Sequence, residues 1–322
     1  MTVLENLVFG PVPSRRLGRS IGINNIPHKI CSYSCSYCQI GKAVKMQVKR
    51  QPFFIPDEIV SQVGQKLAGL PASEYPDYLT LVPDGEPSLD IRLGELIVKL
   101  KTFGIPVAVI TNSSLLDVND VQEALMQADY VSLKVDTVGP SAWKHINKPH
   151  KELDLNLILQ SVLDFSERFK GELVTESMMI KGENDSHAPL EALAGFLQKV
   201  KPKIAYIAIP TRPPAFENTL PADETAVALA YDIFARHGLS AELLTGYEGN
   251  AFASSGNFID DILSITAVHP MRKDAVLELM AHDNATEKDL RQLVDNGLIK
   301  RITFSGQDFY LRKFNNYKNI EK

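Results

Sequence analysis

The chain has 322 residues, of which 44% are hydrophobic, 23% charged and 8% aromatic. That apolar share excludes a disordered or collagen-like chain and supplies a core for one large domain with a small one, or for two ordinary domains. The net charge of −5 is unevenly spread: residues 1–50 carry eight Lys/Arg against the single acid Glu5, residues 51–258 carry 16 basic and 28 acidic residues, and residues 259–322 carry ten of each. A basic segment on an acidic body points to a local site for an anion; the plainer reading is a solvated face. No apolar stretch reaches the ~18 residues of a membrane span. Residues 1–13 lack a basic start followed by an apolar block, and three cysteines are too few for a disulfide scaffold. A cytoplasmic globular protein without a membrane partner is expected.

Runs rich in β-branched residues predict strands at 20–24, 78–82, 107–111, 130–135, 173–180, 204–209 and 241–244. Helix-period segments between them predict helices at 57–70, 93–103, 118–128, 153–169, 189–200 and 223–237. Gly104 and Gly238 stand where helix C-caps belong, and Asp117 is placed to cap the third helix. Such alternation argues for parallel βα units. Six or seven in series suit an α/β fold of the partial (β/α)6 TIM-type barrel kind better than a doubly wound sheet. In that architecture, chemistry sits on the loops after strands, here those following residues 24, 82, 111, 135, 180 and 209.

The barrel is expected over 1–253, a Ser/Gly linker over 254–258, a small domain over 259–316 and a tail over 317–322. In the small domain, helices are predicted at 259–265 and 271–281. A third starts at Thr286, with Asp289 completing a capping box, and stops at Gly297. Strands at 298–304 and 308–314 flank Ser305-Gly306-Gln307, a hairpin turn signal. Three helices and a hairpin look like a winged helix; a small α+β cap packed on the barrel is the alternative.

All three cysteines fall within eight residues, Cys31, Cys35 and Cys38. Thiolates bind soft or borderline metals, and one compact loop lets three sulfurs converge. Structural zinc wants four closed ligands, and His28 could complete a Cys3His site. Iron–sulfur clusters also usually take four cysteines. Three would leave one iron of a cubane open for a cofactor or substrate. The absence of a second Cys or His knuckle favours the cluster.

Cys-x3-Cys-x2-Cys with Tyr37 before the last cysteine resembles the signature of the radical S-adenosylmethionine (radical SAM) superfamily. Residues 9–18 and 22–24 resemble a bacterial and archaeal branch related to the wyosine-base synthases and, more distantly, to molybdenum-cofactor enzymes. The likeness covers about residues 1–250. It implies that Cys31, Cys35 and Cys38 hold a [4Fe-4S] cluster whose open iron is chelated by S-adenosylmethionine. Reductive cleavage would then give methionine and a 5′-deoxyadenosyl radical that takes a hydrogen atom from the substrate. It also implies a site for the amino group of S-adenosylmethionine at Gly85-Glu86-Pro87, where Glu86 neutralises the ammonium or fixes the turn. Tyr37, Asn112, Ser132, Lys134 and Asp136 are the further cofactor-binding candidates. Ser132, Lys134 and Asp136 alternate, so they share a face that enters the barrel if Val131, Leu133 and Val135 pack against helices; a buried Lys134–Asp136 pair is the structural alternative. Arg15, Arg16 and Arg212 are the substrate candidates, because guanidinium groups hold carboxylates or phosphates in bidentate fashion.

An RNA, another phosphorylated molecule or a protein is the expected substrate, and a flavodoxin or ferredoxin the expected reductant. A basic stripe of Lys288, Arg291, Lys300, Arg301, Arg312 and Lys313 would serve the C-terminal domain. No cysteine precedes Cys31, unlike the two-cluster wyosine synthases. The alternatives are a radical SAM activase of a partner protein and a zinc-stabilised nucleic-acid-binding regulator.

Overall fold

The computed structural model describes residues 7–246, 252, 256–268 and 270–313. Strand β1 (Val8–Ser14) turns back on β2 (Gly18–Ile23) as an antiparallel pair. The cysteine loop follows, framed by the two-residue strands β3 (Ile30–Cys31) and β4 (Lys45–Met46). The chain then runs through α1 (Pro56–Ala68), β5 (Tyr78–Leu81), α2 (Leu93–Leu100), β6 (Val107–Thr111), α3 (Asn119–Leu125) and β7 (Tyr130–Lys134). It continues through α4 (Pro140–Ile146), α5 (Leu155–Arg168), β8 (Glu172–Met178), α6 (His187–Val200), β9 (Ile204–Ala208), α7 (Glu224–Arg236) and β10 (Ala241–Leu244).

The main sheet has the order β1-β2-β5-β6-β7-β8-β9-β10, parallel from β2 onward. Chain order equals spatial order, so the sheet never reverses direction as a doubly wound sheet does; it curls into the partial barrel that the alternation predicts. The side-chain period of two sets its faces. Ile21, Ile23, Leu79, Leu81, Val107, Val109, Val131 and Leu133 point outward and share one core with helix residues such as Ile59, Leu93, Leu96 and Val162. Full burial of each such side chain contributes ~1.5–3 kcal/mol. The opposite phase lines the lumen and is partly polar, with Ser20 and Thr80 hydrogen-bonded at 2.6 Å.

Two elements of the barrel go beyond the expectation. Strand β1 is absent from it, because Gly10, Pro11 and Pro13 read as breakers; an edge strand tolerates them. Helix α4 is a short extra helix with proline in its first turn. Gly104 and Gly238 adopt the left-handed conformation expected of them (φ 71° and 74°). Asp117 does not cap α3: the N-cap residue is Val118, and it makes no side-chain capping bond.

Downstream lie α8 (Phe258–Val268), β11 (Met271–Arg272), α9 (Lys273–His282), α10 (Glu287–Asp295), β12 (Ile299–Phe304) and β13 (Gln307–Arg312). Met271 and Arg272 form a strand rather than the start of a helix, giving a three-stranded sheet of order β11-β13-β12. Thr286 and Asp289 form the capping box. The hairpin turn is two residues, Ser305 (φ 48°) and Gly306 (φ 74°), since Gln307 pairs with Phe304; positive φ at both matches the twist of the strands. Phe9 and Val12 of β1 share a core with Phe258, Ile262, Met271, Leu279 and Tyr310, so these elements are seated on the first strand. Residues 254 and 255 of the expected linker, and everything from residue 314 through the tail, lie outside the described residues. No helix among the described residues is long and apolar enough to cross a membrane.

Candidate cofactor-binding site

The cysteine loop lies across the ends of the strands and is tied down by its backbone. Lys29 N donates to Asp84 O (3.1 Å), and Glu86 N to Ile30 O (3.2 Å). Further along, Ser34 N donates to Asn147 O (3.1 Å) and Ser36 N to Ile146 O (2.7 Å). Gly85 makes the Glu86–Ile30 contact feasible: a Cβ there would stand 1.9 Å from the Ile30 carbonyl oxygen. The room that Gly85 leaves is therefore taken by the backbone of the cysteine loop itself.

All three thiols are free and partly exposed, and each receives an N–H donor. Lys29 Nζ lies 3.1 Å from Cys38 Sγ, Asn112 Nδ2 3.6 Å from Cys31 Sγ, and Asn147 Nδ2 3.7 Å from Cys35 Sγ. Dense packing pushes Cys31 up to about 11, with the Glu86 charge adding to the effect and Lys29 opposing it. It pushes Cys35 up to about 12, helped by Asp136 and the other two thiols. Burial pulls Lys29 down, but the three cysteines, Cys38 foremost, outweigh it and hold the ammonium above its usual value. One cation thus faces three sulfurs.

This donor set is soft and suits an iron–sulfur cluster. Among the described residues, no three His, Cys, Asp or Glu side chains converge closely enough for a single metal ion. His28, the fourth ligand of a zinc site, instead places Nδ1 2.9 Å from Asp84 Oδ2. In a cubane each thiolate would bond a different iron, so a cluster does not require the three sulfurs to converge on one point.

Behind the loop, Glu86 is 1% exposed and occupied by the protein. Its Oε1 accepts from Ser88 N (3.0 Å), Ser88 Oγ (2.6 Å) and Thr111 Oγ1 (2.6 Å), and its Oε2 from Asn112 N (2.8 Å). Burial raises its pKa against these bonds. Of the two roles open to Glu86, fixing the turn is the one its contacts describe. Pro87 opens the short 3-10 turn that follows and is buried. Asn112 also donates to Ser32 Oγ (2.9 Å), so the end of β6 grips the loop directly.

In front of the loop, a cavity of about 300 Å³ occupies the lumen, with Tyr37 and Cys38 at its wall together with Arg16, Lys134, Glu176 and Arg212. Val131, Leu133 and Val135 pack outward, so Lys134 enters the lumen. Its partner is not Asp136. Lys134 stands directly opposite Glu176 in the β7–β8 register, and Nζ lies 2.8 Å from Glu176 Oε1. Arg16 pairs with the other oxygen of Glu176. Burial lowers the Lys134 pKa, with Asp136 opposing. Asp136 accepts from Tyr37 OH (2.5 Å), Asn147 Nδ2 (2.6 Å) and Met178 N (2.9 Å), forming a buried link from the lumen wall to the Cys35 donor.

Of the remaining candidates, Arg15 and Arg212 line the same cavity as Arg16 and Lys134. Ser132 is fully buried and does not line the cavity. Arg15 donates to Leu244 O (2.5 Å) and Gly246 O (2.8 Å), joining the β1–β2 turn to the far end of β10. Arg212 donates to Gln39 Oε1 (2.9 Å). Sequence reasoning misses Lys29, Asn147 and Glu176. The lumen phase of β8 carries a signal for Glu176, and the proximity of Lys29 to Cys31 carries one for Lys29; Asn147 has none.

The family model of the radical SAM superfamily matches residues 25–193. The chain is 39% identical over 320 residues to the UPF0026 protein MJ1312 of Methanocaldococcus jannaschii, covering 98% of each. Its fold is similar to that of a radical SAM methyltransferase from Sphaerobacter thermophilus (TM-score 0.51, 13% identity, 70% of this chain and 66% of that one). It is also similar to that of Streptococcus suis SuiB bound to S-adenosylmethionine (TM-score 0.51, 12% identity, 69% of this chain and 49% of that one). A family match over the cysteine loop and most of the barrel, together with a full-length relative, leads to one conclusion: the chain belongs to the radical SAM superfamily, among the UPF0026 proteins.

Proposed function

We propose that the protein is a radical SAM enzyme acting on a phosphorylated substrate inside the barrel lumen. The observation that carries this reading is the setting of three free thiols on one loop over a cavity that Cys38 itself lines. Cys31, Cys35 and Cys38 would hold a [4Fe-4S] cluster and leave one iron for S-adenosylmethionine. When bound, the pair supplies one-electron cleavage of a carbon–sulfur bond and a radical that takes hydrogen from the substrate.

The chain's own part is positional. Glu86 and Asn112 brace the loop from behind, while Lys29, Asn112 and Asn147 direct N–H groups at the sulfurs. Arg16, Lys134 and Arg212 outnumber Glu176 around the cavity, which supports an anionic substrate such as an RNA phosphate or a smaller phosphate ester. A flavodoxin or ferredoxin in the cytoplasm would supply the electron. The order α8-β11-α9-α10-β12-β13 supports a winged-helix-like unit seated on the barrel.

The test is anaerobic turnover in deuterium-labelled cell extract. Deuterium appearing in 5′-deoxyadenosine, with the donor found among phosphorylated compounds, is expected. A glycyl radical on a partner protein would assign an activase instead.

A further inference from the structure

A second cavity, of about 260 Å³, adjoins the lumen. One wall is the end of the cysteine loop, Gln39 to Gly41; another is the rigid Pro213-Pro214 segment; the third is the C-terminal hairpin. Gln39 and Ile40 line both cavities, so a single side-chain layer separates them. His28, Lys300, Arg312 and Lys313 all contribute to the lining, and among the described residues no carboxylate does.

The hairpin register explains which cations face this space. Lys300 pairs with Leu311, so Lys300, Ile302, Leu311 and Lys313 share one face of the hairpin. Arg301 is on the other face, bonded to Asp308. Arg291 is paired with Glu287 on α10. The basic stripe expected from the sequence is therefore divided, and its Lys300 and Lys313 are directed toward the cysteine loop. Arg312 donates to Leu263 O (3.1 Å), which anchors the hairpin to α8.

We propose that this cavity is a phosphate-binding vestibule: it receives a phosphate ester of the substrate while the reacting part of that substrate occupies the lumen. The inference rests on the reading of the lumen as the reaction chamber. It gives the C-terminal elements a role in holding substrate rather than in reading a duplex, since α10 itself carries three acidic residues against two basic ones. The shared chemistry is the phosphate ester, which a nucleic acid strand and a small phosphorylated molecule both offer.

The test uses anaerobically reconstituted full-length protein, the double variant Lys300→Gln/Lys313→Gln and the control Arg301→Gln. The probes are inorganic pyrophosphate, read by calorimetry, and a labelled single-stranded oligouridylate, read by anisotropy at several salt concentrations. The double variant is expected to weaken binding about tenfold and to lower the oligonucleotide salt slope by about 1.4. The control is expected to bind as wild type. Pyrophosphate binding without oligonucleotide binding assigns a small-molecule source, and the reverse assigns a strand; both support the vestibule. Failure of wild type to bind either probe, or equal binding by the double variant, overturns it. Substrate-free cleavage of S-adenosylmethionine, measured in parallel, is expected to be unchanged in the Arg301→Gln control. Its absence from wild type would sink the proposed enzyme activity while leaving the binding result to judge the vestibule.

Discussion

Gly85 presses against Ile30: an added Cβ would stand 1.9 Å from the Ile30 carbonyl oxygen, inside any tolerable contact. Backbone cannot yield as a flexible side chain can, so the turn after β5 and the start of the cysteine loop form one rigid unit. Gly85→Ala is expected to displace Cys31, to lose more than half of the bound iron and to cost about 1–3 kcal/mol through overpacking. Gly64→Ala in α1 is the control, since its Cβ would meet Phe103 at an ordinary 3.6 Å. Iron content and thermal unfolding of both variants check this; full iron loading in Gly85→Ala would contradict it.

Lys29 directs its ammonium at Cys38 from 3.1 Å. Hydrogen bonds and positive charge stabilise the reduced, more negative cluster. Lys29→Met is therefore expected to lower the reduction potential, on the order of 50 mV for a charge-assisted bond partly lost. A redox titration followed by electron paramagnetic resonance reads the shift. A potential that is unchanged or raised would remove Lys29 from this role.

Glu176 sits between Lys134 and Arg16 on the lumen wall. Glu176→Gln leaves two cations without their carboxylate and is expected to cost ~3–5 kcal/mol. Adding Lys134→Met should recover part of that loss, because it removes one stranded charge. The pH dependence has a definite sign. Burial holds the Lys134 pKa below its ordinary 10.5, so charging this group opposes folding. The opposition is absent above 10.5, grows as pH falls toward the folded-state value and is constant below it. Glu176→Gln should steepen that loss in denaturant titrations between neutral and alkaline pH.

Arg15 links the β1–β2 turn to the end of β10, the two ends of the sheet order. Arg15→Met is expected to cost about 1–3 kcal/mol for the lost charge-assisted bonds. Amide exchange in β10 should accelerate, while iron loading stays intact. Loss of substrate binding with β10 exchange unchanged would assign Arg15 a direct substrate role instead.

What the sequence reveals here depends on how far apart the partners lie. The spacing of Cys31, Cys35 and Cys38 is local and legible. So is the lumen phase of Lys134, because Val131 and Leu133 mark the opposite face. The partner of Lys134 is not legible: Asp136 is two residues away, and Glu176 becomes its neighbour only through the β7–β8 register, 42 positions on. Glu86 shows the same limit. Its position after a strand is readable, but Thr111 and Asn112, which occupy its carboxylate, arrive from the next βα unit. Strand β1 is hidden for another reason: its prolines are tolerated only because it lies at the sheet edge.

Iron and acid-labile sulfide analysis of anaerobically purified protein, wild type against Cys35→Ala, bears most directly on the central claim. About four iron and four sulfide per chain are expected in wild type, with both lost and S-adenosylmethionine cleavage abolished in Cys35→Ala. One zinc per colourless chain, or a Cys35→Ala protein with its iron and cleavage intact, would contradict it.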